Sequence, residues 1–187
     1  MTPIPAFSPV NPHSLSLPLR LLAVAFGTVL LAVSSRIEVP MVPVPVTMQT
    51  FTVAMIGALY GWRLGTLTVL AWLGQAALGL PVLAGGAGGL AHFAGPTGGY
   101  LAAFAVMAAQ IGWLAERGWN GDRAGLAFLS MLVGNLICLA MGAAWLSRGI
   151  GWDAAITHGV LPFLVGAVLK SAVGALALRQ LGRPRRA

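Results

Sequence analysis

AGLAFLSMLVGNLICLAMGAAWLS, residues 124–147, contains no charged side chain and stands between Arg123 and Arg148. A helix crosses a hydrocarbon core about 30 Å thick with roughly 20 mainly apolar residues, since each residue advances it by about 1.5 Å. A helix also satisfies its backbone hydrogen bonds within the segment, which the membrane interior requires. The stretch therefore predicts a transmembrane helix and an all-α membrane protein.

Similar apolar stretches, bounded by charge, Pro or Gly, lie on both sides of this one. Together they predict six transmembrane helices near 19–36, 50–62, 64–80, 97–116, 124–147 and 159–179. The 187-residue chain is 58% hydrophobic and 8% charged, whereas an ordinary soluble domain is about 25% charged. We predict one six-helix domain over residues 19–181, a flexible tail at 1–18 and a basic tail at 182–187. No room is left for a separate catalytic domain.

The connections between the predicted helices are of two kinds. Residues 61–64 separate the second and third spans so tightly that we expect a helical hairpin. The proline-rich loop, residues 37–49, contains three prolines, which exclude helix and favour an extended path. The glycine-rich loop, residues 81–99, contains seven glycines and no charge. Loops this apolar are poorly suited to water, so we expect both to fold back over the helices as a lid.

Basic residues mark the ends of the predicted spans, and their distribution is unequal. One end of the six-helix arrangement carries Arg36 and Arg148. The other end carries eight arginines: Arg20, Arg63, Arg117, Arg123, Arg179, Arg183, Arg185 and Arg186. This excess predicts that both termini are cytoplasmic. The net charge of +7 is therefore interpreted as a topology signal in a lipid bilayer, and no nucleic-acid partner is expected.

Lys170 is the only charged residue well inside a predicted span. A charge at the bilayer centre is unfavourable by several kcal/mol, roughly 2.5–3.5 on insertion scales, and no Asp or Glu lies inside a span to offset it. We expect its partner to be a ligand or a backbone carbonyl, while a lysine that snorkels to the interface stays open. Pro162, Gly166 and Gly174 share its helix face at a spacing of four, which leaves space but is also typical of plain helix packing.

Two further helix faces combine polar and apolar residues. They consist of Asn135, Cys138, Gly142 and Trp145 on the fifth span, and of Tyr100, Phe104, Met107 and Ile111 on the fourth. A few polar groups in an apolar lining are typical of a small-molecule site. For Phe104 and Ile111, core or lipid-facing packing is the preferred interpretation.

Catalytic and metal chemistry find little support in the sequence. The three histidines lack metal-ligand spacing, so neither a metal nor a cofactor is predicted. The spans also lack a Ser/His or carboxylate pair, which argues against an intramembrane enzyme. The other functional class to consider is a scaffold that only packs against partner helices. Lys170 and the two apolar loops argue against it.

Four motifs in order along the chain resemble the BioY family, the biotin-binding membrane subunits of energy-coupling-factor transporters. They are Pro45-Val-Thr-Met-Gln49, Gly79-Leu-Pro81 with Ala84-Gly-Gly-Ala-Gly-Gly89, Gly95-Pro-Thr-Gly-Gly-Tyr100, and Gly159-Val-Leu-Pro-Phe163 with Lys170. The resemblance runs from about residue 20 to 180, and the ordered combination is far more specific than any single motif.

The resemblance implies a six-helix capture subunit, similar to other S components of these transporters, that takes up biotin through a site opening outward under the first and third loops. It implies as partners a membrane coupling subunit and two cytoplasmic ATPase subunits. Its site residues are expected to be Gln49, Gly85, Gly86, Gly88, Gly89, Thr97, Gly98, Gly99, Tyr100, Asn135 and Lys170. Ala23 and Gly27, small residues four apart on the first span, are expected to contact the coupling subunit.

The sixth span departs from the family pattern. The family commonly reads Pro-Phe-Leu-Pro-Gly-Asp, whereas this chain reads Pro162-Phe-Leu-Val-Gly-Ala167. Ala167 cannot accept a hydrogen bond from the ureido ring of biotin, so either Asn135 or a backbone carbonyl substitutes, or affinity and specificity differ. Capture of another small vitamin therefore stays open as an alternative.

The topology is tested with single cysteines at residues 5, 148 and 185 in a chain whose Cys138 is replaced by alanine. A membrane-impermeant maleimide added to intact cells should label position 148 and leave positions 5 and 185 unlabelled until the cells are permeabilised. Labelling of position 5 or 185 from outside would contradict the even number of spans or their orientation.

Overall fold

The computed structural model describes residues 16–182, so most of the two predicted tails lies outside the described residues. Within this range the α-helices are α1 Leu17–Ser35, α2 Gln49–Ala77, α3 Ala91–Ala94, α4 Gly98–Ala115, α5 Ala124–Ile150, α6 Trp152–Gly159 and α7 Leu161–Gly182. Two short strands, β1 Glu38–Val39 and β2 Val46–Thr47, pair in antiparallel fashion. Short 3-10 turns occupy Ala84–Gly86 and Gly121–Arg123.

Five helical segments of the described chain are long and apolar enough to cross a membrane. They are Leu17–Ser35, Gln49–Ala77, Gly98–Ala115, Gly121–Ile150 and Trp152–Leu181. Their outward surfaces carry many exposed leucine, valine and isoleucine side chains, which are stable against lipid but not against water. The chain is therefore a multi-pass membrane protein.

The second of these segments, α2, turns back on itself at Gly61. This residue has a φ of 75° and a ψ of 174°, outside the helical region and readily adopted by glycine. Residues 57 and 65 would lie about 12 Å apart in a straight helix. A Cβ atom at Gly65 would instead lie 3.1 Å from the Cα atom of Gly57. The predicted helical hairpin is thus confirmed, with limbs at 49–60 and 62–77, and the five segments supply six membrane helices.

Helix α4 packs against both limbs of α2 on one side and against α5 on the other. A Cβ atom at Gly57 would lie 2.8 Å from the carbonyl oxygen of Ala108, so the first limb touches α4 almost backbone to backbone. The rings of Trp72, on the second limb, and Phe104, on α4, lie 6.1 Å apart between centroids. The two limbs of α2 and α4 therefore form a closely packed centre of the bundle.

The two ends of the bundle differ in charge, in agreement with the unequal distribution of basic residues predicted for six spans. At one end the backbone N–H of Trp62 donates to the Glu116 carboxylate at 3.1 Å, which joins the α2 turn to the end of α4. Gly121 packs against the carbonyl oxygen of Leu178 near the end of α7. This end carries Arg20, Arg63, Arg117, Arg123 and Arg179, which lie near the ends of α1, α4, α5 and α7 and at the α2 turn, whereas the loops that cover the cavity lie at the other end.

Ala23 and Gly27 make contacts within the chain. A Cβ atom at Gly27 would lie 2.5 Å from Cγ2 of Thr68, and the Tyr60 hydroxyl donates to the carbonyl oxygen of Ala23 at 3.0 Å. This face of α1 therefore packs against α2 of the same chain. Its predicted contact with a coupling subunit stays a prediction.

Candidate functional site

A cavity of about 270 Å³ lies at the end of the bundle opposite the α2 turn. Both apolar loops contribute to it, together with the start of α2 and one face each of α4, α5 and α7. Its walls are largely apolar and include Leu83, Leu101, Phe104, Leu139 and Phe163. A concave apolar chamber with a few polar groups is the usual form of a small-molecule site.

The proline-rich loop forms one part of the roof. Its two strands pair Glu38 with Thr47 and Val39 with Val46, and the intervening residues include four that line the cavity: Pro40, Met41, Val44 and Pro45. These strands agree with the predicted extended path. Proline favours such a path because it lacks the backbone donor that a helix would need.

The glycine-rich loop forms the rest of the roof and is anchored to the helices by two indole groups. Nε1 of Trp72 donates to the carbonyl oxygen of Val82 at 3.1 Å, and Nε1 of Trp145 donates to that of Gly95 at 2.9 Å. The predicted folding of this loop over the helices is confirmed.

Two charged side chains join the loops to each other. Nη2 of Arg36, at the end of α1, donates to the carbonyl oxygen of Pro81 at 2.8 Å. Oε2 of Glu38 accepts from the backbone N–H of Gly85 at 3.1 Å, and Gly85 has a φ of 64°, which glycine adopts without strain. The two loops therefore form one continuous roof over the cavity.

Lys170 reaches the cavity from α7 and binds the opposite wall. Its Nζ donates to the backbone carbonyl of Thr47 and to Oγ1 of Thr50 at 3.2 Å. The partner is thus a backbone carbonyl, one of the two expected kinds, and the side chain does not extend freely to the interface. An ammonium group has three protons, so one is left for a molecule in the cavity.

Two amide side chains add further polar groups to the lining. Oε1 of Gln49 accepts from the Thr47 hydroxyl at 3.0 Å, while its buried Nε2 has no partner among the described residues. Nδ2 of Asn135 donates to the Met131 carbonyl at 3.0 Å and to Ser171 Oγ at 3.3 Å. Since both amide protons of Asn135 are used, its remaining capacity is that of an acceptor oxygen.

Six of the eleven predicted site residues line the cavity: Gln49, Gly85, Thr97, Tyr100, Asn135 and Lys170. Tyr100 presents its ring, because its hydroxyl donates to the Gly159 carbonyl at 2.7 Å. Of the predicted aromatic stripe on α4, Phe104 also lines the cavity, whereas Met107 and Ile111 are buried in the core.

The other five predicted residues do not line the cavity, and the structure gives each a role in folding. Gly86 and Gly89 have φ angles of 75° and 93°, which side chains rarely adopt. A Cβ atom at Gly88, Gly98 or Gly99 would collide with its neighbours. The backbone of the loop and of the start of α4 therefore requires glycine at these five positions, and their predicted contact with a ligand stays a prediction.

The cavity-facing stripe of α7 also differs from the predicted one. Gly166 has open space around it and Pro162 is exposed, while Phe163 and Ala167 line the cavity together with Lys170. These three positions follow the i, i+4, i+7 spacing of one helix face. Sequence reasoning also did not identify Thr47 and Thr50, although Thr47 lies within the Pro45–Gln49 motif.

Comparison with known proteins gives a consistent result. The model of the BioY family matches residues 11–187. A probable biotin transporter BioY of Pyrococcus horikoshii is 38% identical over 158 residues, which cover 84% of this chain and 93% of the relative. The biotin transporter BioY of Rhizobium etli is 40% identical over 148 residues, covering 75% of this chain and 79% of the relative.

A solved structure shows the same fold. The chain is similar to the crystal structure of the S-component for biotin from an ECF-type ABC transporter, with a TM-score of 0.79 and 30% identity. The match covers 90% of this chain and 94% of that one. The bundle with its loop-covered end is therefore an S-component fold.

Trp145→Phe tests the anchoring of the roof, because phenylalanine keeps an aromatic ring but cannot donate to the Gly95 carbonyl. Amide hydrogen exchange over residues 85–97 should become faster while exchange in α4 and α5 is unchanged. Trp113→Phe, on the exposed side of α4, is the control and should leave the loop unaffected. Equal exchange in all three proteins would show that the indole does not hold the roof.

Proposed function

This chain belongs to the BioY family, and on that premise we propose that it captures biotin in the loop-covered cavity for uptake across the cytoplasmic membrane. The observation that supports this proposal most strongly is the set of polar groups that meets there. Lys170 has a spare proton, Gln49 has an amide donor without a partner in the described part of the chain, and Asn135 has an acceptor oxygen. All three lie in a chamber whose other walls are apolar.

Biotin carries groups that match these. Its ureido ring has two N–H donors and one carbonyl, its thioether ring is apolar, and its valerate is an anion. The rings of Tyr100 and Phe163, 6.3 Å apart between centroids, offer an apolar surface to the fused rings. Gln49 and Lys170 supply donors, so one of them pairs with the carboxylate or the ureido carbonyl. An anion beside the ammonium of Lys170 would offset its desolvation.

Ala167 lies in the lining at the position where the family commonly carries an acidic residue. We propose that Asn135 provides the missing acceptor, because its oxygen is the part of the amide not used inside the protein and Asn135 lines the same cavity. An amide oxygen is a weaker acceptor than a carboxylate. Affinity for the ureido ring is therefore expected to be lower than with an acidic residue.

Ala167 in place of the family's acidic residue also favours a second candidate function, capture of another small vitamin, because one specific polar contact of the family is absent. Titration of the detergent-purified protein with biotin in competition with other water-soluble vitamins discriminates between the two. Biotin should compete best. A different vitamin displacing biotin at lower concentration would replace it as the proposed ligand.

We propose further that the chain works as the substrate-binding subunit of an ECF-type transporter, with a membrane coupling subunit and two cytoplasmic ATPase subunits. The proposed site is the bacterial cytoplasmic membrane, with both termini inside. Support comes from the basic residues gathered at the end of the bundle away from the cavity, since cytoplasmic ends of membrane proteins are enriched in arginine and lysine. The cavity then faces outward, where a captured substrate enters.

Lys170→Met tests the proposed contact with biotin, because methionine keeps most of the apolar stem and removes the charge and donors. Equilibrium titration should show biotin binding weakened on the order of 10-fold to 100-fold or more, as expected for loss of a hydrogen bond to a charged group. Lys170→Arg should also weaken binding, since the planar guanidinium does not fit a space formed around an ammonium.

Thr50→Val is the matched control, because it removes a partner of Lys170 but leaves the ammonium in place. It should weaken binding far less than Lys170→Met. Thermal melts of all variants separate lost folding from lost binding. If Lys170→Met binds biotin as tightly as the parent, Lys170 is not a ligand contact and the polar contacts must lie in the loops.

A further inference from the structure

Behind the wall of the cavity, a buried serine contacts one of the lining residues. Ser171 follows Lys170 on α7 and is only 1% exposed. Its Oγ lies 3.3 Å from Nδ2 of Asn135 on α5. Asn135 lines the cavity and Ser171 does not, so any effect of the serine on a ligand has to pass through the asparagine.

The hydroxyl proton of Ser171 is already used within α7. Its Oγ donates to the backbone carbonyl of Ala167, one helical turn earlier, at 2.7 Å, which is a common bond for a serine inside a helix. A hydroxyl has one proton and two acceptor lone pairs. Towards Asn135, the serine can therefore only accept a hydrogen bond.

The other neighbour of the Asn135 amide is an acceptor as well. Nδ2 of Asn135 donates to the backbone carbonyl of Met131 at 3.0 Å, and a carbonyl has no proton to give. Turning the amide over would set its oxygen against these two acceptors, which is unfavourable because the membrane interior supplies no water to separate them. The two contacts therefore fix the nitrogen inside the protein and leave the oxygen to the cavity.

We propose that Ser171 is a positioning residue that makes Asn135 select a hydrogen-bond donor on the ligand. The inference rests on the proposed capture of biotin, whose ureido N–H groups are such donors. A ligand that presents a lone pair at the same place would meet the amide oxygen with no proton between them. A buried polar site rejects an analogue that cannot complete its hydrogen bond, so Ser171 contributes to selectivity from outside the lining.

The first test is equilibrium titration of the detergent-purified full chain with biotin. Ser171→Ala removes the acceptor and should weaken binding roughly 3-fold to 10-fold, as expected for loss of about one hydrogen bond. Ser171→Thr keeps the hydroxyl and should bind like the parent. Ser130→Ala is the matched control, because Ser130 is a fully buried serine of α5 whose Oγ has no partner within the described residues. It should leave the affinity for biotin unchanged.

A double-mutant cycle separates positioning from general packing. In an Asn135→Ala background the serine has no amide to hold, so adding Ser171→Ala should change the affinity for biotin no further. Thermal melts show that each variant is folded. An equal loss in both backgrounds, or a loss in Ser171→Thr as large as in Ser171→Ala, would overturn the inference, because packing alone would then explain the effect.

A second ligand tests the selectivity in the parent chain itself. A cyclic carbonate analogue of biotin, with ring oxygens in place of the two ureido N–H groups, keeps the shape but presents lone pairs. The parent should bind biotin more tightly than this analogue by roughly 10-fold or more, and Ser171→Ala should reduce that ratio. Equal affinity of the parent for the two ligands overturns this inference alone, whereas a parent that binds neither contradicts the proposed function as well.

Discussion

The ammonium group of Lys170 has to be hydrogen bonded, because an unpaired charge at this depth of a membrane is unfavourable by several kcal/mol. The structure meets this requirement with the Thr47 carbonyl and the Thr50 hydroxyl. These partners belong to the end of the proline-rich loop and the start of α2, so the contact joins α7 to the opposite wall. The cavity exists between the elements that this contact holds together.

The loops that cover the cavity depend in turn on the wall that contains Thr47 and Thr50. Thr47 is paired with Glu38 across the two-stranded hairpin, and Glu38 accepts the backbone N–H of Gly85. A path of contacts therefore runs from Lys170 through the paired strands of the proline-rich loop to the glycine-rich loop. A ligand that takes up the remaining proton of Lys170 acts at one end of this path, which gives a physical route from binding to loop closure.

Much of the fold follows from the sequence, because span length and charge bias are properties of local composition. The helical hairpin in α2 was predictable from residues 61–64, where glycine and arginine interrupt two apolar runs. The cavity-facing side of α7 could not be predicted, because α7 has apolar and small residues on nearly every face. The helical spacing from Lys170 that pointed to Gly166 also fits Ala167. Only packing against α2 and α5 selects the cavity face.

The glycines also show that the sequence alone does not decide which residues face the cavity. A glycine that permits a left-handed φ and a glycine that touches a ligand look alike in a sequence. Of the six glycines predicted for the site, four in the loop and two at the start of α4, only Gly85 lines the cavity. Ala23 and Gly27 are a parallel case, since small residues serve packing inside one chain as well as contact between chains. Tertiary contacts decide between these roles.

The most direct test of this account is to fill the cavity. Ala167 is buried in its lining, so Ala167→Phe places a ring in the space proposed for the ligand, whereas Val168→Phe adds the same ring to the exposed side of α7. Titration of the purified proteins should show one-to-one binding of biotin to the parent and to Val168→Phe, and no binding to a folded Ala167→Phe. Unchanged biotin binding by Ala167→Phe would contradict the account, because the ligand would then lie elsewhere.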